Sequence, residues 1–453
     1  MSNIELFAHQ KVTAEFLTRT PKAFITSDPG TGKTLSALEG FRKTKTNKKM
    51  LVIAPLSIMQ PSWGADISKF TDFSYVIAHG DRYKRVAAIE SDADIVITNH
   101  DAVKWIAKNP EMMSQFSHIV IDEFPAFKNR TSQRSKALKL LVKNVEHIWM
   151  MSGTPNSNTI LDIWYPAFLL DGGRRLGSKF WQFRSQVCEP VQVGPSIQHI
   201  QWQDKEGIEN DIADLLRDIT IRFEFEECID IPEHSTHNMT LPMPGWLKQK
   251  YEQFINESYL ETEDGVLTAI HAGARVKKAL QLLSGAVYDK DKNIVKVHED
   301  RYKLIIDLIS EREHCVVAFN FRHEREHLTA LAEKAGMTYA VIDGSVPTSK
   351  RTECIEKFQA GEIKVIFAHP QSAGHGLTLT RGTSTIWASP TYNAEHYHQF
   401  NKRIYRAGQT RKTETLRIAY EDSKELEVYE RLDGKLHRME DLLNLFQQYS
   451  RTA

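Results

Sequence analysis

The sequence predicts an α/β protein. Two lobes, each a doubly wound parallel sheet, are joined by a helical region carrying two hairpins. Three observations predict it. Short continuous apolar runs alternate with helix-length stretches in the first third of the 453-residue chain. The same alternation returns after about residue 300, and the stretch between has scattered aromatics without it. Continuous apolar runs ending in small or polar residues suit parallel strands buried on both faces.

The elements follow in order. "AFIT" leads into a glycine-bearing loop and an amphipathic helix; "MLVIAP", "YVIAHG", "DIVITN", "HIVIDE" and "HIWMMSG" supply the remaining strands of the first lobe. Stretches such as "DRYKRVAAIE" and "SQRSKALKLLVKN" are the helices between them. In the middle, "VCEPVQVGPSIQHIQW" and "GAVYDKDKNIVKV" each place two strand-like runs around a turn and read as hairpins. The second lobe runs through "DRYKLIIDLISER", "HCVVAFNF", "REHLTALAEKAG", "TYAVIDG", "KRTECIEKFQAG", "IKVIFAHP" and "STIWASP". The expected boundaries are residues 1–155 for the first lobe, 156–298 for the region between, 299–420 for the second lobe, and 421–453 for a C-terminal helical segment packing on the second lobe.

Lys plus Arg number 58 and Asp plus Glu 58, so the formal charge is zero. A neutral total leaves nucleic acid open as a partner, because a basic stripe is easily balanced elsewhere. The four cysteines, Cys188, Cys228, Cys315 and Cys354, form no CxxC pair, which argues against a zinc ribbon and a disulfide framework. The start "MSNIELFAHQ" has no signal-peptide pattern, and no apolar run has bilayer length. The expectation is a cytoplasmic protein without a membrane partner.

The chemistry begins at "SDPGTGKT", Ser27 to Thr34. In a GxxxxGK[ST] loop, backbone N–H groups turn toward phosphate oxygens. The lysine reaches the outer phosphates, the hydroxyl binds Mg²⁺, and the following helix presents its N-terminus to the same anion. Ser27 stands where the first glycine is expected; Pro29, Gly30, Thr31, Gly32, Lys33 and Thr34 form the rest of the cradle. "HIVIDEF" supplies the second acidic strand end. Asp122 is expected to hold Mg²⁺ with Thr34, and Glu123 to polarise the attacking water. ATP and Mg²⁺ are the cofactors this pattern implies.

The remaining motifs carry a resemblance over nearly the whole chain. "LFAHQ", "LVIAPLSIMQPSWGADISKF", "VITNHD", "MSGTP", "CVVAFNF", "QSAGHGLTLT" and "QFNKRIYRAGQTR" stand in order. Together they resemble the superfamily 2 helicases of the Swi/Snf-like translocase type, and most of all the compact phage-type or fork-remodelling DNA helicases. The resemblance implies two RecA-like lobes and a DNA-dependent ATPase that unwinds or remodels branched DNA through sequence-independent backbone contacts.

It further implies adenine recognition by Gln10, a nucleotide contact at Gly376, and coupling through Ser152, Gly153, Thr154 and Gln399. Arg403 and Arg406, three apart on one helical face, are expected to meet the γ-phosphate. Ser57, Asn99, His100, Asn320, Arg322, Gly344, Ser345 and Thr378 are the implied DNA contacts. Departures are Pro125 after "DEF", Thr378 for a common asparagine and Lys402 for a common glycine. A monomer is expected, in a bacterial host cell if the chain is phage-encoded, with replication or recombination proteins as further partners. Two other readings stay open: an ATP-switched DNA clamp or pure duplex translocase, and an RNA helicase. The hairpins are either junction wedges or plain braces. The formal HExxH of "RHEREHL" is read as an ordinary helix, because its flanks are charged where a zinc-binding helix is walled by apolar residues.

Overall fold

The computed structural model describes residues 5–156, 158–192, 200–257, 259–262, 265–268, 272–288, 293–373 and 377–452. The chain divides into two compact units. Unit 1 is Met1–Asp230 with Lys435–Ala453, and unit 2 is Ile231–Gly434.

Unit 1 is built on strands β1 (Lys22–Ile25), β2 (Lys49–Ala54), β3 (Tyr75–Ile77), β4 (Ile95–Asn99), β5 (Phe116–Asp122) and β6 (His147–Met151), followed by the hairpin β7 (Cys188–Gln192) and β8 (Ile200–Asp204) and the two-residue β9 (Thr220–Ile221). Seven of these form one parallel sheet in the order β3-β4-β2-β5-β6-β1-β9. Alternate residues go to opposite faces. Leu51, Ile53, Ile119 and Ile121 join one apolar layer with Leu138, Leu141 and Trp164. Met50, Val52 and Val120 join the other with Leu38, Phe41 and Trp63. Both faces are covered, as the unbroken apolar runs require.

Unit 2 comprises β10 (His234–Leu241), the hairpins β11 (Tyr259–Thr262)/β12 (Gly265–Thr268) and β13 (Ala286–Tyr288)/β14 (Ile294–Lys296), and β15 (Cys315–Ala318), β16 (Tyr339–Ile342), β17 (Val365–Ala368), β18 (Ser384–Trp387) and β19 (Thr413–Tyr420). Its parallel sheet has the order β10-β19-β18-β15-β17-β16. Val317, Phe367, Ile386 and Leu416 pack with Ile305 and Leu328 on one face. Trp387 packs on Tyr397 and Phe400 on the other.

The two-lobed parallel-sheet class agrees with the sequence expectation, and two details differ. Residues 156–298 are not a separate region: they divide between the units at Asp230. The C-terminal segment is not confined to the second lobe. Val428, Tyr429 and Leu432 are buried in its unit 2 portion, whereas Met439, Leu442, Leu443 and Phe446 complete a core layer of unit 1. An amphipathic pattern marks a helix as packed without saying against what, which is why the sequence misassigned it. Both expected hairpins are present as strand pairs, with their turns outside the described residues.

Candidate nucleotide and nucleic-acid sites

The unit 1 residues expected to bear on phosphate chemistry sit at a C-terminal strand end, in the loop beyond it or in the first turn of the helix that follows. That is the edge where ligands bind in doubly wound sheets. The loop after β1 turns twice through left-handed backbone, at Gly30 (φ 93°) and Gly32 (φ 79°), and then starts the Lys33–Thr44 helix. A side chain at Gly32 would also collide with the Gln10 amide, its Cβ standing 2.2 Å from Nε2. The Lys33 ammonium folds back to donate to the carbonyls of Ser27 (2.7 Å) and Asp28 (3.0 Å). Burial pushes its pKa down, opposed by the negative charges of Glu123, Asp122 and Asp28.

Asp122, ending β5, accepts from the Trp63 indole N–H at 2.9 Å and from the Glu123 amide at 3.1 Å. Burial, reinforced by the neighbouring Glu123 charge, pushes its pKa up to about 6. Glu123 has a left-handed backbone (φ 54°), which is strained for a residue with a Cβ. Its carboxylate accepts from the Ser152 hydroxyl at 2.9 Å, and the same hydroxyl accepts from the Thr154 amide at 3.1 Å. Gly153 is needed for close approach, since a Cβ there would lie 2.8 Å from Cδ of Pro29. Strands β1, β5 and β6 are neighbours, so Lys33, Asp122, Glu123, Ser152, Gly153 and Thr154 are brought together. This arrangement fits a nucleotide triphosphate with a divalent cation. A desolvated ammonium is held by neutral carbonyls beside two carboxylates, in a glycine turn that admits no added side chain at Gly32.

Gln10 is buried and donates to the Thr31 carbonyl (3.3 Å), while its amide oxygen accepts from the Phe7 N–H (3.1 Å). His9 contacts the same Thr31 carbonyl at 2.7 Å. Thr34 lies in the first turn of the helix.

Sequence reasoning missed Arg222. Its guanidinium donates to Asp28 (3.0 Å) and to the Thr26 carbonyl (2.8 Å), with both charged side chains buried. Asp28 also accepts from the Phe225 amide, and Ser27 accepts from the Phe223 amide at 3.0 Å. Ser27 therefore replaces the expected glycine because its hydroxyl ties the loop to the segment after β9. The partners are nearly 200 residues apart in the chain, and no local pattern signals the pair.

Of the expected DNA contacts in unit 1, Ser57 follows β2 and Asn99 ends the adjacent β4. His100 bonds the Asp122 carbonyl at 2.8 Å, which links this edge to the acidic strand end. In unit 2, Asn320, Arg322, Gly344 and Ser345 line one cavity of about 420 Å³, with Arg325, Asp343 and His369. Asn320 is fixed by donating to the carbonyls of Ser389 and Pro390, and Ser345 by donating to Asp343. Thr378 is not part of that lining. Gly376 lies outside the described residues.

Arg403 and Arg406 correct the sequence expectation. The helix Ala394–Asn401 ends before either, so they share no helical face. Both guanidiniums instead donate to the Leu377 carbonyl, at 3.4 and 2.8 Å. Gln399 is buried, and its Oε1 has no hydrogen-bond partner among the described residues.

The HExxH stretch starts a helix, Arg322–Lys334, and its side chains are engaged by neighbouring groups. Glu324 accepts from the amides of Asn320 and Phe321, His323 bonds the Ser284 hydroxyl, and His327 stacks on Tyr302. Burial pushes Glu324 up to about 7 and His323 down to about 3. Among the described residues, no group of three or more metal-ligating side chains is present. Nor is any described helix long and apolar enough to cross a membrane.

A phosphate loop, an acidic strand end and a serine-bearing third strand end, followed by a second parallel-sheet unit, define a two-lobed P-loop protein. Comparison with known proteins gives the family. The SNF2-related domain matches residues 9–291, and the helicase conserved C-terminal domain matches residues 300–408. The chain belongs to the SNF2-related family of superfamily 2 and is an enzyme of its DNA-dependent ATPase/helicase class.

Among curated relatives, a putative protein p41 from the Acyrthosiphon pisum secondary endosymbiont phage 1 is 27% identical, over 91% of each chain. The putative ATP-dependent helicase/translocase YwqA of Bacillus subtilis is 25% identical over 86% of this chain and 43% of its own length. The mouse DNA annealing helicase and endonuclease ZRANB3 is 24% identical over 87% of this chain and 36% of its own length. The chain thus spans nearly all of the phage relative and less than half of these two cellular ones. The Sulfolobus solfataricus SWI2/SNF2 ATPase core in complex with double-stranded DNA is 20% identical, with a TM-score of 0.44 over 97% of this chain and 93% of that one.

Proposed function

We propose that this chain is an ATP-driven motor that engages branched DNA and separates or remodels its strands. The observation that carries the reading is the convergence of Lys33, Asp122, Glu123 and Ser152 at adjacent strand ends of unit 1. In this reading Pro29 to Thr34 cradle the phosphates, and Lys33 neutralises the outer ones. Thr34 and Asp122 hold Mg²⁺. Glu123, oriented by Ser152, draws a proton from the attacking water. Gln10 reads adenine at the edge of the loop. Arg403 and Arg406 stabilise charge on the transferring phosphoryl group, Gly376 contributes to nucleotide binding, and Gln399 acts with Ser152, Gly153 and Thr154 in coupling.

Movement requires two grips whose affinity alternates with nucleotide state. Ser57, Asn99 and His100 serve one grip. Asn320, Arg322, Gly344, Ser345 and Thr378 serve the other. Such amide, hydroxyl and guanidinium contacts to phosphate carry no sequence preference. The description of one relative as a DNA annealing helicase supports DNA over RNA as the substrate. Steady-state ATP hydrolysis with forked DNA, blunt duplex, matched RNA forks and no nucleic acid tests the reading. Forked DNA is expected to stimulate most, with strand displacement on the same substrate. A rate indifferent to DNA removes the motor, and stimulation without displacement leaves a duplex translocase.

A further inference from the structure

We propose that an aromatic and guanidinium patch on unit 1, formed by the exposed Trp181 with the half-buried Arg130, Arg184 and Trp202, is a stacking site for an unpaired base of single-stranded DNA. It is separate from the motif-borne backbone grips. It rests on the reading above only for the class of polymer bound.

Trp181 lies on the Phe180–Val187 helix and is 60% exposed, while Phe183 and Val187 of the same helix are buried. A lone exposed tryptophan needs no explanation. This one is flanked by two cations. The Arg184 guanidinium is 4.5 Å from its ring centroid and the Arg130 guanidinium 5.4 Å. Arg184 also lies 3.8 Å from the Trp202 centroid, and Arg130 lies 5.1 Å from that of Phe180. Trp202 is a fixed backstop, because β8 is pinned at its end. Asp204 accepts from the Thr159 hydroxyl (2.6 Å) and the Ile160 amide (2.9 Å), and Lys205 donates to the Gln186 carbonyl (2.6 Å).

Several arginines elsewhere are matched to carboxylates, as with Arg175 and Asp171, Arg222 and Asp28, or Arg417 and Asp433. Neither Arg130 nor Arg184 has an ion-pair partner among the described residues, and the Nε of Arg184 is buried with no hydrogen-bond partner there. A guanidinium stacked by its flat face on an aromatic ring keeps its in-plane N–H groups available, and those suit phosphate oxygens. An indole that stays 60% exposed with two such cations beside it matches a nucleotide: base on the open part of the ring, flanking phosphates on the guanidiniums. Duplex DNA offers no base face except at its ends, so the occupant is an unpaired strand.

The test uses the full chain without ATP, so the motor reading does not decide it. Binding of a fluorescent single-stranded oligothymidylate is measured by anisotropy against a blunt duplex. Trp181→Ala, at an exposed position, is expected to weaken oligothymidylate binding roughly five- to a hundredfold, the range of one lost base stack, with blunt-duplex binding changed less than about twofold. Trp181→Phe retains most of the affinity. Arg130→Gln and Arg184→Gln each lower the salt slope by about one. Oligothymidylate binding by Trp181→Ala within about twofold of the parent overturns the proposal, as does an equal loss on blunt duplex. A clear preference of the parent protein for oligouridylate over oligothymidylate overturns the assignment to DNA.

Discussion

The C-terminal edges of the two sheets invite comparison, since similar parallel strands end there in different surroundings. In unit 1, β1 and β6 run into Ser27, Asp28 and Ser152, and β5 ends at Asp122; all four are buried. In unit 2, β15 and β16 lead into a cavity where Arg322, Gly344 and Ser345 are exposed. The first edge pays the desolvation penalty of buried charge and shifts its pKa values; the second leaves its polar groups in water. Phosphoryl chemistry gains from dehydrated, pre-positioned charge. A grip that must be released every cycle gains from contacts that exchange readily with solvent.

Four measurements sharpen or break that contrast. The largest effect is expected at the buried edge. Lys33→Ala or Glu123→Gln should lower DNA-stimulated phosphate release by at least about a hundredfold, with the unfolding temperature little changed. Retained turnover removes the catalytic assignment. Next is Arg222→Met, which strands Asp28 without its cation. Breaking such a buried pair costs about 3–5 kcal/mol, to be read from denaturant unfolding. A loss under about 1 kcal/mol would show that water reaches the pair.

Third is a pH effect. Asp122 has its pKa raised to about 6, so below that value it is protonated before a cation binds. The Mg²⁺ concentration for half-maximal hydrolysis should rise up to about tenfold per pH unit below 6 and level off above it. In the cation-free protein the stability sign is opposite. A raised carboxylate pKa means the folded state holds the proton longer, so this group's contribution to stability falls as pH rises from about 4 to about 6. The smallest effect belongs to the open edge. Arg322→Ala should weaken DNA binding a few-fold, uniformly across sequences, and reduce the salt slope by about one. A loss as large as that of Lys33→Ala would make the two edges alike.

Much of this was legible in the sequence, for reasons that particular residues make plain. Strands β2, β5 and β17 hold near-continuous apolar runs, and burial on two faces leaves that mark on them most fully. Strand β9 is two residues long, and β10 reads "HSTHNMTL", mostly polar at a sheet edge, so neither carries an apolar signal. The phosphate loop was readable because its contacts are local. Its bracing by Arg222 was not, because the pair forms only in the fold. Arg403 and Arg406 show the converse error: helical spacing was assumed where the helix had already stopped at Asn401.

The seam between the phosphate loop and Arg222 also bears on how the chain is made. Asp28 finds its cation on a segment nearly 200 residues later, and the Arg222 amide in turn donates to the Ser450 hydroxyl at 2.8 Å. During synthesis unit 1 starts before unit 2 and takes its last segment, Lys435–Ala453, after it. Its loop waits on β9, and β9 waits on the closing turn of the C-terminal helix, while every residue of unit 2 has already left the tunnel's entrance behind. A chain cut between Gly434 and Ser450 would therefore keep every strand of the second sheet and lose the Ser450 link in the bracing of the loop after β1.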